Sequence, residues 1–177
     1  LFSTFGELKG EAKAAFDPEG NKEFAEVITK FNTDWVWGEP ARMTARAFLA
    51  KSAPAYMYQF GYVPATIRQR APYGAGHGSE VSFVFNTLNA RWGAPAEATP
   101  EEKELARIMN TYWINFAKTG NPNGNGLPVW PLYDNQKEEI LDVELDGKPV
   151  SKPDPRKLRF NVIEKAFKQR ELLQIRG

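Results

Sequence analysis

His77 is the only histidine in the chain, and there is no cysteine. It stands in Gly74-Ala75-Gly76-His77-Gly78-Ser79-Glu80, with glycine on both sides. An imidazole takes and returns a proton near neutral pH, and flanking glycines remove the bulk that would shield it from a neighbour. A lone loop histidine is also an ordinary surface or capping residue, and spacing alone leaves both readings open. Ser79 and Ser82 bring hydroxyls close in sequence. Neither stands in a G-x-S-x-G elbow, so exposed turn or capping chemistry accounts for them. Glu80, three residues after His77, either meets solvent or a cation, or is turned back toward the imidazole.

Composition removes most other chemistries. Without cysteine there are no disulfides, thiolate zinc sites, iron–sulfur clusters or cysteine nucleophiles, and one histidine cannot build a multi-histidine metal cage. No metal or cofactor is expected. The 23 Lys and Arg against 22 Asp and Glu, a net charge of +1, leave no excess for neutralising phosphates, so nucleic acid is not an expected partner. No apolar run approaches the ~20 residues of a membrane-spanning helix. The 177 residues, 42% hydrophobic and 25% charged, have the composition of a globular domain.

The elements around His77 follow from periodicity and punctuation. Residues 18–37 read as a helix with Phe24, Val27, Ile28 and Phe31 on one face, closed by Gly38. A second helix is expected over 40–52, with an apolar stripe of Met43, Ala47 and Ala50 flanked by Phe48 and Leu49. Residues 55–60 are aromatic and apolar at nearly every position, which predicts a strand buried on both faces and hence a parallel α/β unit. A glycine- and proline-rich loop over 61–78 carries His77 away from that strand. The cluster 81–85 is a strand end or a helix start, and Phe83 and Phe85 are expected in the core. A linker over 95–100 leads to a helix capped by Thr99, opened by Pro100 and running to about Lys118. Turns fill 119–126. A peripheral strand over 139–145 ends at Asp146-Gly147, and a last helix spans 155–175 with Leu158, Phe160, Val162, Ile163 and Phe167 apolar.

Gly74-Ala75-Gly76-His77-Gly78-Ser79-Glu80-Val81-Ser82-Phe83-Val84-Phe85 resembles the histidine segment of the type-B carboxylesterases, the cholinesterase-like α/β-hydrolases, which reads roughly G-A-x-H-x-x-E-[LIV]-x-[FY]-[VL]-F. Upstream, Pro40-Ala41-Arg42 and the run from Ala53 through Tyr56-Met57-Tyr58-Gln59-Phe60 resemble that family's approach to a core strand. Downstream, Trp113-Ile114-Asn115-Phe116-Ala117-Lys118-Thr119-Gly120-Asn121-Pro122-Asn123 is similar to its W-x-N-F-A-x-T-G-x-P-N helix and turn, and Trp130-Pro131 with Tyr133 to its next block. Four blocks occur in the family's order over about residues 34–145.

The resemblance implies an α/β-hydrolase fold and hydrolysis of carboxylic esters by a Ser–His–acid triad with His77 as general base, Glu80 matching a position beside the triad rather than the triad acid. The family's G-x-S-x-G elbow and its glycine-rich oxyanion loop are absent from these residues, and no convincing triad acid precedes His77. Residues 1–177 are therefore expected to be the C-terminal segment of a single α/β-hydrolase domain, whose upstream part is the partner that supplies serine, acid and oxyanion hole. Alone, the chain would expose an apolar face where missing strands pair. Only 61–76 and 83–92 could line acyl and alcohol pockets. A non-catalytic cholinesterase-like interaction module is the main alternative, disfavoured outside the cell by the absence of cysteine and of any N-x-[ST] sequon. A free-standing small α/β domain of unrelated function is a third.

Overall fold

The computed structural model describes residues 1–90 and 97–175, which divide into two units, Leu1–Ala55 with Asp154–Gly177, and Tyr56–Pro153. The linker expected over 95–100 begins outside the described residues. Among the described residues no helix is long and apolar enough to cross a membrane.

The first unit is helical. A 3-10 segment, Phe2–Leu8, runs into α1, Lys9–Phe16, neither of which the periodicity announced. α2, Phe24–Thr33, starts six residues later than the expected helix, and it runs on through one π-turn, Asp34–Gly38, into α3, Glu39–Leu49. α6, Lys157–Ile175, completes the unit. Phe5, Phe16, Val27, Phe31, Val162 and Ile163 form its core, and Phe5 meets Phe31 and Trp35 edge-on at 5.7 and 5.5 Å between ring centroids.

Gly38 does not stop the helix. Its backbone is right-handed helical, and a Cβ there would lie 2.6 Å from the Phe160 ring, so glycine is required by close packing. The expected stripe of α3 is also corrected. Met43, Ala47, Phe48 and Ala50 face outward, and the buried face is Glu39, Arg42 and Ala45. Arg42 is satisfied there by several partners at once. Its Nε lies 2.6 Å from Glu39 Oε2, Nη1 donates to Asn161 Oδ1 at 2.8 Å, Nη2 lies 3.2 Å from Glu164, and the guanidinium covers the Phe160 ring. Arg46 and Lys168 share Glu164 at 2.8 and 2.6 Å. On α6, Phe160, Val162 and Ile163 are buried as expected, whereas Leu158 is 71% exposed.

The second unit holds a three-stranded sheet in the order β1-β2-β3. β1, Tyr58–Phe60, runs parallel to β2, Glu139–Val143, with Tyr58 opposite Leu141 and Phe60 opposite Val143. β3, Pro149–Pro153, returns antiparallel, with Asp142 opposite Val150. The strand expected at the periphery is thus the central one: Ile140, Leu141 and Val143 are fully buried. β1 is only half-buried, because among the described residues it pairs on the β2 side alone. α5, Pro100–Thr119, lies on this core through Leu105, Ala106, Met109 and Tyr112. Its start is the expected one, with a reciprocal cap in which Glu102 N–H donates to Thr99 Oγ1 at 3.2 Å and Thr99 N–H to Glu102 Oε2 at 2.9 Å.

Two outcomes follow for the helical unit. Gly38→Ala overpacks the Phe160 contact and lowers unfolding free energy by about 1–3 kcal/mol, read from a urea midpoint. Burial pushes the Glu39 carboxyl up to about 7 against the pull of Arg42, with Glu164 adding to the rise and Arg46 opposing it. A folded-state value above the ordinary one means that the stabilisation is present below about 4.5 and is lost as pH rises through about 7. Glu39→Gln therefore matches the parent at low pH and gains on it across that window, as measured by urea melts at a series of pH values.

Candidate active site

The site is built outward from the end of β1. Gly61 extends the parallel ladder by one more bond, its N–H donating to the Val143 carbonyl at 2.7 Å, and a Cβ there would approach that same oxygen to 3.0 Å. Tyr62 and Val63 then bury themselves, and residues 65–70 lie exposed. Arg68 ties this exposed stretch down, donating from Nη2 to the carbonyls of Val63 and Leu145 at 3.0 and 3.2 Å.

Two tight turns deliver His77. The first is closed by Gly74 N–H to Ala71 C=O at 3.2 Å, with Gly74 at φ +109. The second is closed by Ser79 N–H to Gly76 C=O at 3.2 Å and has His77 and Gly78 at its centre. Gly78 takes φ +76, the positive angle that a type II turn demands of its third residue and that glycine adopts freely. His77 is the second residue of that turn and is exposed.

Immediately afterwards the chain enters α4, Val81–Val84. The 81–85 cluster is therefore a helix start. The Glu80 carbonyl begins it by accepting the N–H groups of Phe83 and Val84, each at 2.9 Å. Phe83 is 1% exposed and joins the core as expected, but Phe85 is 67% exposed, because a single helical turn cannot aim both rings inward. The Phe83 ring lies 5.3 Å from Phe60 and 5.5 Å from Tyr62. Asn110 of α5 closes the far end of α4, its Nδ2 donating to the Val84 carbonyl at 2.7 Å. The loop that carries His77 is thus pinned at both ends by contacts that its own sequence does not announce. Asn110 stands on the same helix three residues before the Trp113 block that resembles the esterases, whereas Arg68 carries no signal at all.

The neighbouring polar residues divide cleanly. The Glu80 side chain is half-buried, and its charge reaches Tyr58 of β1, whose hydroxyl is pushed up to about 12 by burial with the Glu80 carboxylate adding to the effect. The hydroxyls of Ser79 and Ser82 are buried, and among the described residues neither has a hydrogen-bond partner. The expected exposure is thus corrected: α4 has no side-chain cap, and the two hydroxyls are turned inward. Gln59 Oε1, on β1, is likewise buried without a partner among the described residues. Of the stretches expected to line substrate pockets, 61–76 is described, and Trp92 lies outside the described residues.

A single imidazole stands on a glycine-built turn past the carboxyl end of a parallel strand, the end at which open α/β sheets place their ligands.

Comparison with known proteins places that turn in context. A model of the carboxylesterase family matches residues 7–162. Among curated relatives, the chain is 38% identical over 129 residues to carboxylesterase 1C of Rattus norvegicus, covering 72% of this chain and 22% of that one. It is 39% identical over 147 residues to the cocaine esterase of Homo sapiens, covering 80% and 25%. Among solved structures, it overlays on carboxylesterase EST55 of Geobacillus stearothermophilus with a TM-score of 0.68 at 28% identity, covering 89% of this chain and 31% of that one. It overlays on a PNB esterase with a TM-score of 0.70 at 28% identity, covering 92% and 32%. The chain thus spans about a quarter of the curated relatives it matches, and its helices and small mixed sheet are part of an α/β-hydrolase fold. It belongs to the carboxylesterase family.

Proposed function

We propose that residues 1–177 form the C-terminal segment of one α/β-hydrolase domain, and that this domain hydrolyses carboxylic esters with His77 as the general base and acid of a serine mechanism. The observation that carries the reading is the exposed imidazole, held on a glycine turn between a parallel strand and α4, inside a carboxylesterase-family match. The sequence holds no G-x-S-x-G elbow, so the nucleophile, the triad acid and the oxyanion donors are assigned to residues upstream of these. An ester is the substrate class.

The chemistry then runs in two halves. His77 takes the proton of the serine hydroxyl as its oxygen attacks the ester carbonyl, and the electron pair of the carbonyl moves onto its oxygen. Collapse of that intermediate expels the alcohol, which leaves with the proton from His77. Water attacks the acyl-enzyme, His77 takes its proton, and the same proton returns to serine as the acid departs. Glu80 acts indirectly, through the turn its carbonyl starts and the β1 tyrosine its carboxylate faces.

In the complete enzyme, His77→Ala lowers kcat by several orders of magnitude, because loss of the base disables the nucleophile. Steady-state hydrolysis of a chromogenic ester measures it, and near-parental turnover overturns the assignment. A fluorophosphonate probe labels a serine outside residues 1–177. Gly78→Ala forces a side chain onto a left-handed backbone at a cost of about 1–2 kcal/mol, so kcat falls with little change in KM if the turn serves only to place the imidazole.

A further inference from the structure

Two Asn-Gly steps occur in one loop, Asn123-Gly124 and Asn125-Gly126. The peptide nitrogen that follows an asparagine can attack that residue's own side-chain amide. A glycine at the following position, lacking Cβ, leaves the approach open. Identical dipeptides would react alike in a free chain, but this fold treats them differently.

Asn123 is clamped. Its Nδ2 donates to Asn121 Oδ1 at 3.0 Å and to the Trp130 carbonyl at 2.9 Å, and its Oδ1 accepts the Trp130 N–H at 2.7 Å. Asn115 of α5 holds the backbone beneath, donating to the carbonyls of Pro122 and Asn123 at 3.2 and 3.4 Å. A Cβ on Gly124 would lie only 2.8 Å from Asn115 Nδ2, so that residue is hemmed in as well. For the Asn123 side chain to swing onto the Gly124 nitrogen, its bonds to Trp130 must first break.

Asn125 is exposed, as is Gly126. Among the described residues, neither the Asn125 side chain nor the Gly126 N–H has a hydrogen-bond partner. The two form the centre of a turn closed by Leu127 N–H to Gly124 C=O at 3.2 Å, with Gly126 at φ +75 and nothing within 4 Å of where its Cβ would be. Both the residue that supplies the nucleophilic nitrogen and the one whose amide it attacks are open to water.

We propose that Asn125 is a site of spontaneous deamidation in the folded protein, and that the fold shields Asn123 from the same reaction. Hydroxide removes the proton from the Gly126 nitrogen, and that nitrogen bonds to Cγ of Asn125. The C–N bond of the side-chain amide breaks, and its nitrogen leaves as ammonia after taking a proton from water. The resulting cyclic imide is opened by water at either carbonyl, leaving an aspartyl or an isoaspartyl linkage and a new negative charge at position 125. Nothing is oxidised or reduced. Because the nitrogen must be deprotonated, the rate climbs with pH above neutrality. The proposal stands apart from the esterase reading.

Peptide mapping by mass spectrometry tests it. The folded protein is held under mildly alkaline conditions alongside the same protein unfolded in urea, with isoaspartate scored at each step. In the folded protein Asn125 converts, and Asn123 converts at least about tenfold more slowly, since local opening must break several hydrogen bonds first. In urea the two convert at similar rates. Asn125→Gln removes the modification at position 125 and leaves only the slow conversion of Asn123. Equal conversion of the two asparagines in the folded state overturns the proposal. So does an unmodified Asn125 in a fold whose unfolded control reacts, or an unchanged ratio in urea.

Discussion

The contact of the Phe83 ring with Phe60 and Tyr62 is the constraint on which the His77 loop depends. Phe60 ends β1 and Tyr62 follows Gly61, while Phe83 lies in α4, so the three rings join the two ends of the segment that carries the histidine. Closing a loop of this length costs chain entropy that grows only slowly with residue number, and ring pairs of this kind each return about 0.5–1.5 kcal/mol beyond their buried area. The parallel β1–β2 pairing fixes where the segment leaves the sheet, and the Asn110 bond to Val84 fixes where it rejoins the helices. Between those anchors the two glycine turns can be tight without strain. The backbone that carries the imidazole inherits its place from that packing.

In the helical unit the governing balance is electrostatic. Burying Arg42 removes a guanidinium from water, a cost that only several simultaneous partners can offset. Glu39, Asn161, Glu164 and the Phe160 face supply them. Glu39 is the weak member of the set. It is fully buried, neither of its oxygens has a hydrogen bond among the described residues beyond the ion-pair contact of Oε2 with Arg42 Nε, and burial outweighs the attraction of Arg42. Glu164 is better placed because Arg46 and Lys168 also reach it. The same network explains why Gly38 is needed. Phe160 must lie under the guanidinium of Arg42, and that brings its ring edge against the backbone at the junction of the π-turn with α3.

What could be read from the residues alone follows the range of the interactions. α5 was legible because its start is written in four consecutive residues, Thr99 to Glu102, whose side chains bond to one another's backbone. The turn around His77 was legible for the same reason, glycine being a local statement about φ. α3 misled because its buried face is Glu39 and Arg42, and Arg42 has partners some 120 residues later on α6. β2 looked peripheral because acidic residues surround it. Asp142 in fact lies inside the sheet, with its charge met by Lys152 of β3 at 2.9 Å, a partner that stands ten residues away and across a turn. Gly38 resembled a helix stop, since nothing near it in sequence says that a phenylalanine from the far end of the unit needs its space. The family blocks carried the remainder: they located His77 where composition and spacing had left two readings open.

The division between buried support and exposed imidazole bears on the proposed mechanism. A general base is useful only if its donor atom is held within hydrogen-bond reach of the proton it removes, and effective concentration falls steeply as that placement loosens. With serine and acid assigned to other segments, the backbone that carries His77 decides where the imidazole can meet them. Ser79 and Gly76 close the turn, Gly78 supplies the angle, Glu80 starts the helix that follows, and Phe83 locks that helix to the sheet. The side chain itself is exposed. Under the proposed mechanism, a histidine carried on a turn anchored at both ends and presented outward meets participants that come from elsewhere in the fold.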